Sequence, residues 1–232
     1  QATGVIYVVW RDFGAGNAIK FTRSLDGGAT YTPSGGLAIA GAGANNVQGP
    51  NVAVGTDLSV YVFWYDQSAG AATNPILRVR KSTDFGGSFA AAVDIASDLN
   101  TTATNGSLAL SGGLRTNSFP QVAVNPVSGH LYVAYNRVFG GQDTDVRLRR
   151  STDGGATWAD TIDPGFSGST DWSPSIAVAS GSSQRIMVSW YQKAPGSTVG
   201  NVISRVGTFV DGSTFLELGS GDFNITTAPF PI

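Results

Sequence analysis

Four apolar stretches of this chain end in an aromatic residue and run straight into residues able to do chemistry. "VIYVVW" is followed by Arg11 and Asp12, "SVYVFW" by Tyr65 and Asp66, "HLYVAY" by Asn136 and Arg137, and "RIMVSW" by Tyr191. Arg115 in "LRTNSFP", and Asp171 and Trp172 in "STDWSP", stand just before proline-led apolar stretches. Arginine suits the bidentate holding of a carboxylate, and two acidic groups flanking a bond suit glycoside cleavage. Together these types fit a polar or glycan ligand. The plainer reading of Arg11, Asp12, Tyr65 and Asp66 is that they are strand-end residues bonded to neighbouring loops.

What must position them is a repeated unit. Each apolar stretch is followed by an alternating run: "AIKFTRS", "ILRVRKS", "DVRLRRS" and a weaker "NVISRVG". Counting back from the closing serine, the third and fifth residues are apolar (Phe21/Ile19, Val79/Leu77, Leu148/Val146), which is the period of a strand. A turn follows: "SLDGGATY" at 24–31, "STDFGGSF" at 82–89, "STDGGATW" at 151–158, degraded to "FVDGSTF" in the fourth block. A proline then introduces one more apolar stretch, as in "GPNVAV", "FPQVAV" and "SPSIAV". The turn serines are 58 and then 69 residues apart, room for four strands and their connections. The fold class expected is all-β: a β-propeller of four-stranded antiparallel blades with four blade repeats visible.

Within each turn, Asp26, Asp84 and Asp153 can accept backbone N–H groups. Gly28, Gly86 and Gly155 can supply positive φ. Ser24, Ser82, Ser151, Thr30 and Thr157 can tie the two legs, while Tyr31, Phe89 and Trp158 pack under the turn against their own blade. One carboxylate followed by glycines does not make a calcium loop, and the single His130 cannot build a histidine-rich site, so neither metal nor cofactor is expected. Connections after the second strand and before the first lie at the end opposite the turns, which places the residues of the opening paragraph on one face.

Composition agrees. The chain of 232 residues has 31 glycines, 10 prolines, 13% charged residues and a net charge of −2 with no basic run, which argues against nucleic acid. There is no cysteine and no apolar run of membrane-spanning length. The neutral surface would suit packing against copies of itself. Arg147, Arg149 and Arg150, the densest positive cluster, read as a solvated blade face. The connection 95–118 is long and low in charge, which points to a functional or mobile loop. It holds sequons at Asn100 and Asn105, and a third begins at Asn224.

The three turns resemble the Asp-boxes of the sialidase-like (BNR-repeat) β-propellers, and through the flanking strands the resemblance covers essentially the whole chain. It implies a secreted or surface-exposed propeller, turns that are structural and face away from the active site, and a ring of six blades in the sialidase members. The repeats fall at roughly 1–45, 46–100, 117–168 and 171–222, with 227–232 resembling the start of a further blade. The first block lacks its proline-led strand, so two arrangements are open: a chain cut in mid-propeller, or a last strand completing the first blade. By the same resemblance an arginine triad would be Arg11, Arg115 and Arg137, an acid/base Asp12 or Asp66, and a nucleophile Tyr65 or Tyr191. The departures are the lone glutamate, Glu217, placed in an outer strand, and the lack of an Arg-Ile-Pro motif. The resemblance therefore implies recognition of a glycan or an extracellular protein surface first, exo-sialidase-type hydrolysis second, and a self-associating structural subunit third.

Overall fold

In the computed structural model the repeated turn is built three times from the same hydrogen bonds. Ser24 Oγ donates to Asp26 Oδ1 (2.6 Å) and accepts from the Gly28 N–H (2.8 Å), while the Asp26 carboxylate accepts from the Thr30 N–H (2.9 Å) and hydroxyl (2.6 Å). Ser82, Asp84, Gly86 and Ser88 repeat the pattern, as do Ser151, Asp153, Gly155 and Thr157. These bonds hold Asp26 and Asp84 well below the usual carboxylate range, the serine hydroxyl being the largest contributor. For Asp153, burial pulls the other way and is outweighed by Thr157 and Ser151. Ser151 is buried and serves two partners at once. Ser151→Ala is expected to cost about 1–2 kcal/mol by leaving the buried Gly155 N–H unmatched, measurable as a lower urea midpoint.

The structure describes residues 4–14, 16–41, 46–68, 74–99, 107–109, 115–139, 143–160, 168–180, 185–209, 216–218 and 223–231. The degraded fourth turn at 210–215 and the sequons at Asn100 and Asn105 lie outside them. All regular elements described are strands. Three antiparallel strands, β1 (Ile6–Asp12), β2 (Ala18–Ser24) and β3 (Thr32–Ala40), form the first sheet. The second sheet runs in order β4 (Val47–Val54), β5 (Val60–Asp66), β6 (Ile76–Ser82), β7 (Val93–Ala96). A two-stranded ribbon, β8 (Ser107–Ala109) and β9 (Arg115–Asn117), occupies part of the long connection. The third sheet is β10 (Gln121–Val124), β11 (Leu131–Phe139), β12 (Asp143–Ser151), β13 (Ala159–Asp160).

The fourth sheet is β14 (Thr170–Val178), β15 (Arg185–Lys193), β16 (Val199–Phe209), β17 (Leu216–Leu218). The outer edge of β16 also pairs with β18 (Phe223–Asn224) and β19 (Phe230–Pro231), so the closing segment lies along the fourth sheet. Strands β4, β10 and β14 contact one another in turn, as innermost strands around a common axis do. This is a β-propeller architecture, with sheets stacked face to face as blades.

The core lies between blades. Ile19, Phe21, Val60, Val62 and Trp64 fill the first junction; Tyr61, Phe63, Tyr65, Leu77, Leu131, Val133 and Tyr135 fill the second. Tyr132, Ala134, Val146, Leu148, Ile186, Val188 and Trp190 fill the third. The period-two residues Ile19, Phe21, Leu77, Val79, Val146 and Leu148 are all buried, as the alternation requires.

The turn aromatics differ from expectation. Phe89 packs edge-on against Phe21 (4.9 Å between centroids) and Trp158 against Phe63 (6.2 Å), each on the preceding blade rather than its own. The turn projects past its own sheet edge, so the nearest large apolar surface belongs to the neighbour. The basic residue before the turn serves the same junction. Arg23 donates to the carbonyls of Asp84 (2.8 Å) and Phe85 (2.6 Å) in the next turn.

Candidate functional site

The register fixes the end of the blades at which the sequence candidates stand. β11 and β12 pair Leu131 with Ser151 at the turn end and Phe139 with Asp143 at the other. In the second blade Val60 opposes Ser82, and Asp66 opposes Ile76. Asp66, Arg137 and Tyr191 therefore stand toward the end away from the turns, as does the start of β14 with Asp171 and Trp172.

Each sequence candidate has its own partners. Arg11 lies 4.4 Å over the exposed ring of Phe13, and burial pulls its guanidinium down from the ordinary arginine value. Asp12 accepts the Gly14 N–H (3.0 Å). Tyr65 is buried and donates to Gln67 Oε1 (3.3 Å), which also accepts from Asn46 (2.9 Å). Both oxygens of Asp66 are engaged by the chain: Oδ1 by the Ser68 N–H (2.9 Å), Oδ2 by the Trp64 indole (3.1 Å) and Arg78 (2.8 Å). Burial raises its pKa, but these partners outweigh it and hold the carboxyl low. Arg78 bridges on to Asp94 (2.8 Å).

Arg115 opens β9 opposite Ala109. Asp171 is buried, with Ser169 Oγ 3.2 Å from each carboxylate oxygen. Trp172 stacks on Tyr191 (5.7 Å, 18° between planes), and Phe230 meets Tyr191 edge-on (5.9 Å). Arg11, Arg115 and Arg137 come from the first sheet, the ribbon and the third sheet.

A different set converges. Asp98, just beyond β7, lies at the junction of the second and third blades. Tyr135 donates its hydroxyl to it (2.7 Å), and Arg149 Nη2 (3.3 Å), Arg137 Nη1 (3.5 Å) and Arg147 Nε (3.9 Å) surround it. Arg137 also reaches Asp145 (3.5 Å), and Arg149 Nε donates to the Tyr135 oxygen (3.3 Å). The arginine side chains are 15–16% exposed and Asp98 27% exposed, so the group is mostly withdrawn from water yet touches it.

The titrations diverge accordingly. Burial raises Asp98, but the Tyr135 hydroxyl and the arginines overcome it and leave the carboxyl below its ordinary range. Burial dominates at Asp145 and raises it, Asp171 adding to the effect and Arg137 and Arg147 opposing it. Burial also pushes the Tyr135 phenol upward.

Of this cluster only Arg137 was a candidate from sequence. Arg147, Arg149 and Arg150, read as a solvated face, are instead covered, because the blades on either side cover both faces of the third sheet. A signal existed in the period of two, which puts Asp145, Arg147 and Arg149 on one face, the same that their cross-strand neighbours Tyr135 and Arg137 occupy. Nothing local marked Asp98. Among the described residues no group of three or more histidines, cysteines or carboxylates could hold a metal ion, and no helix is long and apolar enough to cross a membrane.

Solved structures match this arrangement of blades. A protein of unknown function from Dyadobacter fermentans superposes with a TM-score of 0.58 at 16% identity, over 92% of this chain and 64% of its own. The Hadza microbial sialidase Hz136 gives 0.55 at 17% identity, over 95% of this chain and 44% of its own. The fold is a β-propeller, shared with that sialidase. The α-L-arabinofuranosidase Arb93A of Fusarium graminearum follows at 0.53 and 14% identity, over 80% of this chain and 50% of its own. This propeller thus spans between 44% and 64% of the length of these three chains. No protein-family model and no curated protein matches it. Identities this low establish the fold alone, so the chemistry must be argued from the residues of this chain.

Proposed function

We propose that this propeller is an extracellular glycan-recognition module whose repeated turns are the Asp-boxes of the sialidase-like folds. The observation that carries the reading is the cluster of Arg137, Arg147 and Arg149 around Asp98 at the junction of the second and third blades, running from mid-strand toward the end away from the turns at Arg137 and partly open to water. Arginine forks and carboxylates side by side offer donors and acceptors for sugar hydroxyls, and the gathering of three guanidiniums favours a sugar bearing a carboxylate. That the sialidase and the arabinofuranosidase share the fold supports a saccharide ligand.

Hydrolysis is the second reading, and Asp145 favours it. A carboxyl raised by burial retains its proton closer to neutrality, as a general acid must. Against turnover stands Tyr135. It forms the tyrosine–carboxylate couple with Asp98 that a tyrosine nucleophile needs, yet its ring is wholly buried and its phenol is pushed up rather than down.

A glycan array carrying sialylated, uronate-bearing and neutral oligosaccharides separates the readings. Acidic glycans are expected to bind, and Arg137→Ala, with its melting temperature checked, to weaken them about tenfold, the loss of one charge-assisted bond. Binding unaffected by Arg137→Ala, or confined to neutral glycans, removes the arginine cluster as the site. Release of fluorophore from a sialoside that disappears in Tyr135→Phe replaces recognition by hydrolysis.

A further inference from the structure

Where the third and fourth blades meet, three buried polar atoms make no hydrogen bond among the described residues: both amide atoms of Asn136 and the indole Nε1 of Trp190. Each of the two side chains is 1% exposed. A donor or acceptor shut away from bulk water and left alone is costly, so each of these atoms calls for a partner. Elsewhere the chain supplies one. The indole of Trp64 donates to Asp66, two residues along the same strand (3.1 Å), and that of Trp158 to the Gly155 carbonyl (3.2 Å). In the fourth blade the residue two along from Trp190 is Gln192, whose amide nitrogen donates to Ser169 instead (3.3 Å).

The register sets Asn136 and Trp190 on facing surfaces of one junction. Asn136 shares its face of β11 with Tyr132 and Ala134 and lies opposite Val146, and these three pack with Ile186, Val188 and Trp190. Both side chains stand toward the end away from the turns. At the matching positions of the second blade, Phe63 and Tyr65 lay two large rings against the third. Ala134 and Asn136 are smaller, and the exchange of Tyr135 for Trp190 on the facing strand returns only part of that volume. Thr144 lies on the same face as Asn136 and is 2% exposed. Its hydroxyl donates to the Asp171 carbonyl (2.6 Å), so its oxygen can still accept.

We propose that this junction is a binding site for internal water, held between Asn136 and Trp190 and joining the third blade to the fourth. The atoms select the ligand. An indole N–H only donates, so a cation has no place against it. The Asp171 carboxylate, wholly buried and opposite Gln192 on the face that carries Trp190, repels an anion. A water accepts from the indole and donates to Asn136 Oδ1, with the Thr144 oxygen available to its second hydrogen. Asn136 Nδ2 needs an acceptor as well, which a second water beside the first supplies. Solvent then does at this junction what Asp66 does for Trp64.

Magnetisation transfer from water to the indole protons, followed by nuclear Overhauser and rotating-frame spectra of the isotope-labelled chain, tests this. The Trp190 indole, assigned by its loss in Trp190→Phe, should show a cross-peak to a slowly exchanging water. The Trp64 indole, bonded to Asp66, should show none. Asn136→Leu, similar in size but without hydrogen-bonding atoms, should abolish the Trp190 cross-peak while the Trp64 shift stays in place. Asn136→Ser keeps a hydroxyl and opens more room, and should retain it. A Trp190 indole with no water cross-peak in the unaltered protein overturns the proposal, and that reading needs no variant to fold. So does a cross-peak that survives Asn136→Leu, or a crystal structure in which the Asn136 amide bonds the indole directly. Glycan binding at the arginine cluster enters none of these outcomes.

Discussion

Asp98→Ala is expected to destabilise the propeller by about 3 kcal/mol, a large loss for an alanine substitution outside the apolar core. The carboxylate is the shared partner of Arg137, Arg147, Arg149 and the Tyr135 hydroxyl, all mostly withdrawn from water. Removing it leaves three cations close together across a blade junction without the carboxylate they share. Urea unfolding measures the loss, and a second Arg149→Ala substitution should recover part of it by relieving the repulsion.

The pH dependence has a definite sign. The folded protein holds Asp98 below the ordinary carboxylate value, so its contribution is full above about pH 4 and fades as pH falls through the depressed folded value. The Asp98→Ala protein should lose less stability on acidification over that window. A parallel acid limb in the two proteins would show that Asp98 is not holding the arginines.

Gly86→Ala should cost about 3 kcal/mol as well, by steric means. Gly86 has φ of +82°, and a Cβ there would fall 2.4 Å from Phe21 Cζ and 2.6 Å from its Cε1. Phe21 cannot retreat: it is fully buried, with Phe89 edge-on at 4.9 Å and Tyr7 stacked at 5.9 Å. Gly27 supplies the control, since its φ is +73° but nothing lies within 4 Å of a Cβ there. Gly27→Ala should show only the backbone cost of about 1 kcal/mol. Equal losses in the two variants would mean that the turn, not the junction between first and second blades, sets the effect.

Much of the fold was legible in the chain because its causes are local. The serine, aspartate, glycine and threonine of each turn bond to one another within a few residues, and period two makes the strands of a blade recognisable without their neighbours. Of the proposed arginine cluster, sequence had named Arg137. Asp98 was hidden in a Ser/Thr/Asn-rich connection, because a carboxylate becomes the hub of a cluster only through the residues that fold onto it. Tyr65 and Asp66 carried the right chemical types, and their bonds to Gln67, Trp64 and Arg78 show side chains already engaged by their own blade.

By itself, then, the sequence determined strands, turns and blade order, all consequences of short-range hydrogen bonding and alternation. Only the tertiary structure decided which faces are covered. Ile6, Val8 and Trp10 follow the same pattern as Val60, Val62 and Trp64, yet the first triplet meets water and the second a packed junction. Burial belongs to the neighbour a residue acquires, and that neighbour is set by the stacking of whole blades.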